Sequence, residues 1–355
     1  MLMKLKDIVI KLDKSHIKAG EGLENGLYPL FTCSSNINKY LDSYLYDDEA
    51  IIIGTGGNAV INYYKGKFNY STDCIAVKGN NQFDTKYLYY NLIFQIDYIS
   101  SLFRGVGLKH LNKNDFFNID IVDRSMEEQL EIVKKMDVLY KAIKVKEDSL
   151  SKYDILVNSK FIELFGNPVT NDKNWPLDKL SNNINLINGR AYSQNELLNS
   201  GKYKVLRVGN FFSNNEWYFS DLELENNKYC SKGDLLYAWS ASFGPKIWDG
   251  EKVIYHYHIW KVEFNEKYTL NFLYSLLNVT TDYLKLDTHG IGMVHLTKNG
   301  MEQLNIIVPP ISVQNKYSSY FEKIKQAKSI IEEEIKKLSN LCNVELNNYY
   351  GEKNG

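Results

Sequence analysis

The sequence has no surplus of charge of either sign: 42 Lys and Arg stand against 43 Asp and Glu, a net charge of -1. Taken alone, that speaks against a nucleic-acid binder, which is usually basic. It has no run of ~18 consecutive apolar residues, so no transmembrane helix is expected. The start, Met1-Leu2-Met3-Lys4-Leu5-Lys6-Asp7, has neither an apolar run nor a small-residue cleavage site, so no signal peptide is expected. The four cysteines, Cys33, Cys74, Cys230 and Cys342, lie far apart and form no Cys-x-x-Cys. Neither a zinc site nor a redox pair is indicated, and a reduced, cytoplasmic setting is the simplest expectation. Arginine is scarce: Arg104, Arg124, Arg190 and Arg207 are all there is.

Catalytic signatures are missing too. There is no P-loop, no Gly-x-Gly-x-x-Gly after a strand and no His-Glu-x-x-His. Amino-methylating enzymes commonly carry Asn/Asp-Pro-Pro-aromatic, but the Pro-Pro pair here follows Val308. No catalytic constellation and no metal site is expected.

What is present begins with bulk. A chain of 355 residues suggests two domains at ~150 residues each. With 44% hydrophobic and 24% charged residues it can build real cores, which excludes a wholly disordered chain.

A repeat organises it. Gly105-Val106-Gly107-Leu108-Lys109-His110-Leu111 recurs as Gly290-Ile291-Gly292-Met293-Val294-His295-Leu296, an offset of 185. The same offset pairs Ile119-Asp120-Ile121-Val122 with Leu304-Asn305-Ile306-Ile307, Gln129 with Gln314, and Phe165-Gly166 with Tyr350-Gly351. Register held this long marks a duplicated unit, far longer than a solenoid repeat. The earlier parts match loosely: Leu5-Lys6-Asp7-Ile8 with Leu177-Asp178-Lys179-Leu180, Gly26 to Leu30 with Gly201 to Val205, and Asp48 to Ile52 with Lys232 to Leu236. Each unit is a variable head followed by a shared connector.

The connectors are helical. Met136, Leu139, Ile143 and Leu150 in the first, and Phe321, Ile324, Ile331 and Ile335 in the second, belong to apolar series spaced mostly by three, four or seven. Ser125 to Glu128 reads as a capping box, Pro309-Pro310 precedes the second helix, and Gly166 and Gly351 suit helix ends. About 40 residues make a rod roughly 60 Å long at 1.5 Å per residue. Each apolar stripe either pairs with the other copy's stripe or packs separately on its own head, and pairing is the favoured reading. The heads read as mixed α/β. Ile51-Ile52-Ile53, Cys74 to Val77 and Ile254 to Phe264 have strand character, and Tyr87 to Phe103 and Leu270 to Leu284 look like helices. Asn167 to Asp172 is a polar linker.

Several residues stand out in the heads. Gly54-Thr55-Gly56-Gly57-Asn58 follows a strand; it is either an ordinary turn or a phosphate-approaching loop. Trp239-Ser240-Ala241-Ser242-Phe243-Gly244 occupies the equivalent place in the second unit. His256 and His258 have strand spacing, and a polar or DNA contact suits them better than a two-ligand metal site. His110 and His295 sit at repeated positions and make either a structural hydrogen bond or a phosphate contact. Arg104, Arg190 and Arg207 are either surface ion pairs or readers of guanine.

These features together resemble the specificity subunit of type I restriction-modification systems. The resemblance is carried by Asp234-Leu235-Leu236-Tyr237-Ala238-Trp239-Ser240-Ala241-Ser242-Phe243-Gly244, His295-Leu296-Thr297, Ile306-Ile307-Val308-Pro309-Pro310-Ile311-Ser312-Val313-Gln314 and Phe165-Gly166. The first copy departs from it, with Asp123-Arg124 in place of a Pro-Pro pair and Gly54-Thr55-Gly56-Gly57 in place of the Trp loop. The resemblance implies two target-recognition domains, 1–124 and 167–309, each followed by a spacer helix, 125–166 and 310–351. The fold class is then α/β (mixed α+β) with a pseudo-twofold duplication and an antiparallel coiled-coil spacer.

It further implies a subunit that is not itself catalytic, double-stranded DNA as target, read at a bipartite asymmetric site, and two copies of an adenine-N6 methyltransferase subunit as partners. S-adenosylmethionine belongs to those subunits and no cofactor to this chain, and there is room for a restriction/translocase subunit. The candidate DNA contacts are Gly54, Thr55, Gly57, Asn58, Lys65, Lys67, Arg104, Lys109 and His110 in the first unit. In the second they are Arg190, Tyr192, Arg207, Asn210, Trp239, Ser240, Ser242, Lys246, His256, His258 and His295. The competing class is a coiled-coil scaffold or adaptor with two ligand-binding heads that never touches DNA. On the favoured reading the net charge averages two heads with protein-binding helices, and partner subunits supply much of the backbone affinity.

Overall fold

The structure, a computed structural model, describes residues 1–212, 216–240, 242–286 and 297–351, with 282–286 through the backbone alone. It divides into two compact units: Met1–Asp148 with Glu332–Gly355, and Ser149–Ile331. The sequence division gave each long helix a segment of its own; the compact units instead cut both helices near their middles.

The head of the first unit is built on a six-stranded sheet, in the order Val9–Lys11, Cys74–Gly79, Tyr46–Gly54, Ile61–Tyr70, Tyr28–Phe31, Tyr40–Leu41. Its strand Tyr46–Gly54 is buried on both faces from Ala50 onward, which is why Ile51-Ile52-Ile53 is an unbroken apolar run. Ile51 and Ile53 face a core with Tyr87 and Leu88 from the helix Thr85–Phe94 and Met136 from the first long helix. Ala50 and Ile52 face Phe31, Phe68 and Tyr70. The helix expected over Tyr87 to Phe103 is two, Thr85–Phe94 and Ile96–Ser101. Gln95 breaks it and donates to Asn91 Oδ1 (2.7 Å) and the Asp120 carbonyl (3.0 Å), tying the bend to the strand Asp120–Val122.

The second unit repeats this plan with two four-stranded sheets. One runs Ile184–Asn188, Ile259–Phe264, Leu235–Ala238, Gly244–Ile247; the other Tyr218–Ser220, Tyr203–Leu206, Val253–Tyr255, Tyr229–Cys230. Leu235 and Tyr237 face a core with Phe272 of the helix Leu270–Leu286, while Leu236 and Ala238 face Leu206 and Phe211. The strand expected from Ile254 to Phe264 is therefore broken. Val253–Tyr255 ends one strand, 256–258 turn, and Ile259–Phe264 joins the other sheet.

The duplication is visible bond by bond. Ile51 pairs with Val77 as Leu235 pairs with Val262, and Leu30 with Asn69 as Val205 with Ile254. One sequence match needs correcting. Leu5 N–H donates to the Ile119 carbonyl (2.9 Å) and Leu180 N–H to the Leu304 carbonyl (2.8 Å), so Leu5 answers Leu180, not Leu177. The strand Leu2–Lys4 answers Leu177–Lys179, each pairing antiparallel with its copy of the strand before the long helix.

The long helices are Met126–Phe165 and Ile311–Tyr350. Ser125 and Glu128 exchange side-chain-to-backbone bonds (2.9 and 3.3 Å), which completes the capping box. Gly166 takes φ +72 just past the first helix, a conformation other residues resist. In the first unit Lys135 meets Glu345 at 2.8 Å and Lys146 meets Glu334 at 2.7 Å; in the second, Lys328 meets Asp154 at 2.6 Å. In the second unit Phe161 also meets Tyr317 with ring centroids 5.6 Å apart, so in each unit number rises on one helix as it falls on the other and the pairing is antiparallel. Met136 is fully buried, Leu139 and Ile143 pack on the first core and Phe321 on the second, and Leu150, Ile324, Ile331 and Ile335 are half-buried.

One buried glutamine locks each head to its long helix. Gln129 accepts from Asp84 N–H (2.8 Å) and donates to the Gln82 (2.9 Å) and Arg124 (2.8 Å) carbonyls. Gln314 accepts from Thr269 N–H and donates to the Lys267 and Pro309 carbonyls, all at 2.8 Å. Every partner is displaced by 185 residues. Where the first copy has Arg124 instead of Pro309, the guanidinium donates to the Tyr349 carbonyl (2.8 Å) and caps the end of the second long helix.

Candidate nucleic-acid interface

In the first unit Gly54 to Val60 joins the two longest strands, Tyr46–Gly54 and Ile61–Tyr70. Thr55 is held through both its N–H and its hydroxyl to the Asp73 carbonyl, each at 2.8 Å. Gly57 N–H donates to the Lys109 carbonyl (2.9 Å), Leu111 N–H to the Thr55 carbonyl (3.0 Å), and Gly56 forms a backbone bridge with His110. The structure thus brings together Gly54, Thr55, Gly57, Lys109 and His110, with Asn58 in the same loop. Arg104 pairs across the short hairpin with His110, and its guanidinium meets Asp115 at 2.8 Å. Lys65 and Lys67 stand apart. They lie four and six residues along the strand from Ile61, ~13–20 Å from the loop. Lys65 meets Glu49 at 3.5 Å and Lys67 lies over the Tyr44 ring at 4.6 Å.

Sequence reasoning missed Cys33, which sits beneath this loop. Its Sγ lies 3.1 Å from the Asp73 carbonyl, and its Cα is 3.1 Å from where a Cβ on Gly54 would be, a tight approach of the two backbones. Hydrogen bonding from Cys74, then the N–H groups of Gly56 and Thr55, hold the Cys33 thiol down at about 6 against the desolvation that opposes it. Four cysteines far apart in sequence gave no signal that two of them meet.

The second unit places an aromatic and histidine cluster at the matching point. Trp239 N–H donates to the His258 carbonyl (3.1 Å), the counterpart of the Thr55–Asp73 bond. Its indole Nε1–H donates to the Tyr257 carbonyl (2.9 Å), and its ring stacks on Trp260 with centroids 5.7 Å apart. His256 and His258 were expected to share a strand face; they lie instead in the turn 256–258, yet their rings still meet at 4.8 Å. Tyr192 stacks on His256 at 6.2 Å, and the Arg190 and His256 backbones bridge. Burial first, then the charges of His258 and Arg207, pushes His256 down to about 4. Among the described residues no group of three or more His, Cys, Asp or Glu could hold a metal ion.

Arg190 Nη2 donates to Glu196 at 2.6 Å and the guanidinium covers the Tyr192 ring at 5.2 Å. Arg190 Nη1 and the Tyr192 hydroxyl are buried with no hydrogen-bond partner among the described residues. Glu196 and Tyr257 were not singled out from sequence; neither belongs to a motif. Arg207 and Asn210 form a neighbouring pair. Arg207 lies over Tyr218 at 5.0 Å, and Asn210 accepts from the Arg207 N–H at 3.4 Å. The Lys246 ammonium is bound to the Phe211 carbonyl at 2.9 Å. Ser240 and Ser242 follow Trp239, the Ser242 N–H donating to the Ser240 carbonyl at 2.8 Å. His295 lies outside the described residues, as does Ala241 of the Trp loop.

Against known families, the model described as type I restriction modification DNA specificity domain matches residues 1–152 and 172–340, once per unit of the duplication. The chain belongs to this family. As a type I specificity chain it is of the non-catalytic kind, and its two heads are two copies of one specificity domain. It is 30% identical to the type I restriction enzyme EcoDI specificity subunit of Escherichia coli over 136 residues, 37% of this chain and 29% of that protein's length. It is 23% identical over 336 residues to the MjaVIII specificity subunit of Methanocaldococcus jannaschii, 83% of this chain and 78% of that one. The fold of the S subunit of a type I restriction-modification system from M. genitalium matches with a TM-score of 0.61 at 14% identity, covering 98% of this chain and 94% of that one. Among the described residues no helix is long and apolar enough to cross a membrane.

Proposed function

We propose that this chain is the DNA-reading subunit of a cytoplasmic type I system, in which each head reads one half of a bipartite, asymmetric site. Two copies of an adenine-N6 methyltransferase subunit dock on the chain and act where it places them. They carry S-adenosylmethionine, and a restriction/translocase subunit completes the system where one is present. The observation that supports this most is a contrast at one equivalent point. The bond pairing residue 55 with 73 recurs as 239 with 258, but it holds a glycine loop beside His110 in one head and a Trp–His cluster in the other. A shared scaffold with unlike surfaces suits two unlike half-sites. The Arg190 side chain, 33% exposed and laid over the Tyr192 ring, suits the acceptor-rich edge of a guanine.

Single-molecule sequencing of modified adenines, with and without the gene, tests it. The expected result is one asymmetric bipartite motif that loses modification on deletion. A methylome unchanged by deletion would reject the reading in favour of a scaffold.

A further inference from the structure

We propose that the hairpin tip of the first unit, Val106 and Leu108, is an apolar wedge that enters the DNA stack at one base step of the first half-site. The proposal rests on the chain reading DNA.

Val106 is 107% and Leu108 67% exposed, more open than an apolar residue with a folding role. Leaving such side chains in water forgoes the stabilisation that burying them would give. The tip is nonetheless built. Gly105 (φ +140) and Gly107 (φ +87) hold a backbone that side chains rarely adopt, and a Cβ on Gly105 would come within 2.9 Å of the Leu108 carbonyl. The hairpin below it is pinned by the Phe103–Leu111 and Arg104–His110 pairs and by the Gly57 and Leu111 bonds to and from the glycine loop. An anchored tip can push, where a loose loop would yield.

Its flanks suit a polyanion. Arg104, Lys109 and His110 are all exposed around it, and no ion pair of Lys109 occurs among the described residues. Proteins that open base steps combine such donors with a Leu, Ile, Met or Phe wedge, usually from the minor groove. The repeat adds a further point. In sequence, Gly290-Ile291-Gly292-Met293 keeps both glycines and both apolar positions, while Lys109 becomes Val294. A wedge responds to how easily a step deforms, not to base edges. One design can therefore recur in two heads whose half-sites differ. Methyltransferases take their base out of the stack, and a wedge beside it would lower that cost.

The test uses the full chain assembled with its methyltransferase subunits, on DNA of its own motif with 2-aminopurine placed at one position at a time. A several-fold fluorescence rise is expected at one step of the first half-site. It should fall to the unbound level in the V106S/L108S double variant, with the footprint over both half-sites kept, and persist in L108F. Because both residues are exposed, their replacement leaves the core as it is. Away from the adenines that the methyltransferase subunits take out of the stack, the wedge is overturned by no rise at any step of the first half-site, or by a rise there that survives the double Ser variant. It is equally overturned if that variant stops co-purifying with the methyltransferase subunit, which would make the tip a protein-docking element. If the wild-type assembly leaves no footprint on the motif, DNA reading itself is rejected and the wedge with it.

Discussion

Tyr350 lies against Tyr87 with ring centroids 5.5 Å apart, and 185 residues earlier Phe165 lies against Phe272 at 4.6 Å. Each long helix thus ends in the core of the other copy's head. Tyr350→Ala should destabilise the first unit by about 3–5 kcal/mol, as for other buried aromatics. Phe165→Ala should do the same to the second. Urea unfolding followed by hydrogen exchange would show which head loosens. In the assembled system Tyr350→Ala should weaken the first half-site, although the residue lies at the far end of the sequence.

Gln129 and Gln314 are fully buried, and each satisfies three backbone groups. Replacing either with Leu keeps the bulk and orphans those groups, at about 1–3 kcal/mol for each one left buried. Gln129→Glu should be worse than Gln129→Leu, since it buries a charge facing the Gln82 and Arg124 carbonyls. Thermal denaturation ranks the variants, and equal Tm values for Leu and Glu would contradict this account.

Arg190→Lys removes the planar fork while keeping the charge. Sequence preference at the second half-site should relax and the first should stay unchanged, read by the methylome of the variant. Gly189→Ala should act on the same half-site more severely, because a Cβ there overlaps the Tyr255 carbonyl and displaces the Arg190–His256 bridge. Loss at the first half-site instead would show that the heads are assigned the wrong way round.

His256 gives the second unit a pH dependence of definite sign. Its folded value is about 4, below the 6.5 of the unfolded chain. Between these values the unfolded state takes up the proton and the folded state does not. Stability contributed by this residue is present above pH 6.5 and is lost as pH falls toward 4, below which it levels off. Urea midpoints measured from pH 7.5 to 4 should show this slope in the native chain and a shallower one in His256→Gln.

Adding seven residues to both long helices, after Asp148 and after Ile331, keeps the antiparallel partners in step and adds roughly 10 Å. If the helices set the spacer, the recognised motif should gain about three base pairs between unchanged half-sites, at ~3.4 Å per step. A motif of the old spacing would reject the ruler.

The duplicated helices were legible because their apolar period and the offset of 185 run without a gap, and Phe165-Gly166 and Tyr350-Gly351 mark their ends. The heads were legible as mixed α/β from runs such as Ile51-Ile52-Ile53. Their register was harder. Leu5-Lys6-Asp7-Ile8 and Leu177-Asp178-Lys179-Leu180 look alike as strings, but only the bonds to Ile119 and Leu304 reveal that Leu5 answers Leu180. His256 and His258 looked like strand neighbours because a tight turn between two sheets interrupts the pattern for three residues only. Gln129 was matched to Gln314 in the repeat, but its role was invisible: a buried glutamine that bonds three carbonyl and N–H groups is spelled the same as a solvated one. Of the candidate contacts, the glycine loop with His110 and the Trp239–His256–His258 group converge in space. Lys65 and Lys67 do not join them, since charge alone carries no information about position along a strand.

The way the compact units divide the chain has a consequence for synthesis on the ribosome. The second unit is one continuous stretch, Ser149–Ile331, whereas the first needs Glu332 to Tyr350 to fill its core with Cys342, Leu346 and Tyr350. Domains usually finish in the order in which they emerge. Here the head made first must wait for the last helix, and the head made second can close before it. A nascent chain that has not yet reached Glu332 carries a first head whose core still lacks Cys342, Leu346 and Tyr350.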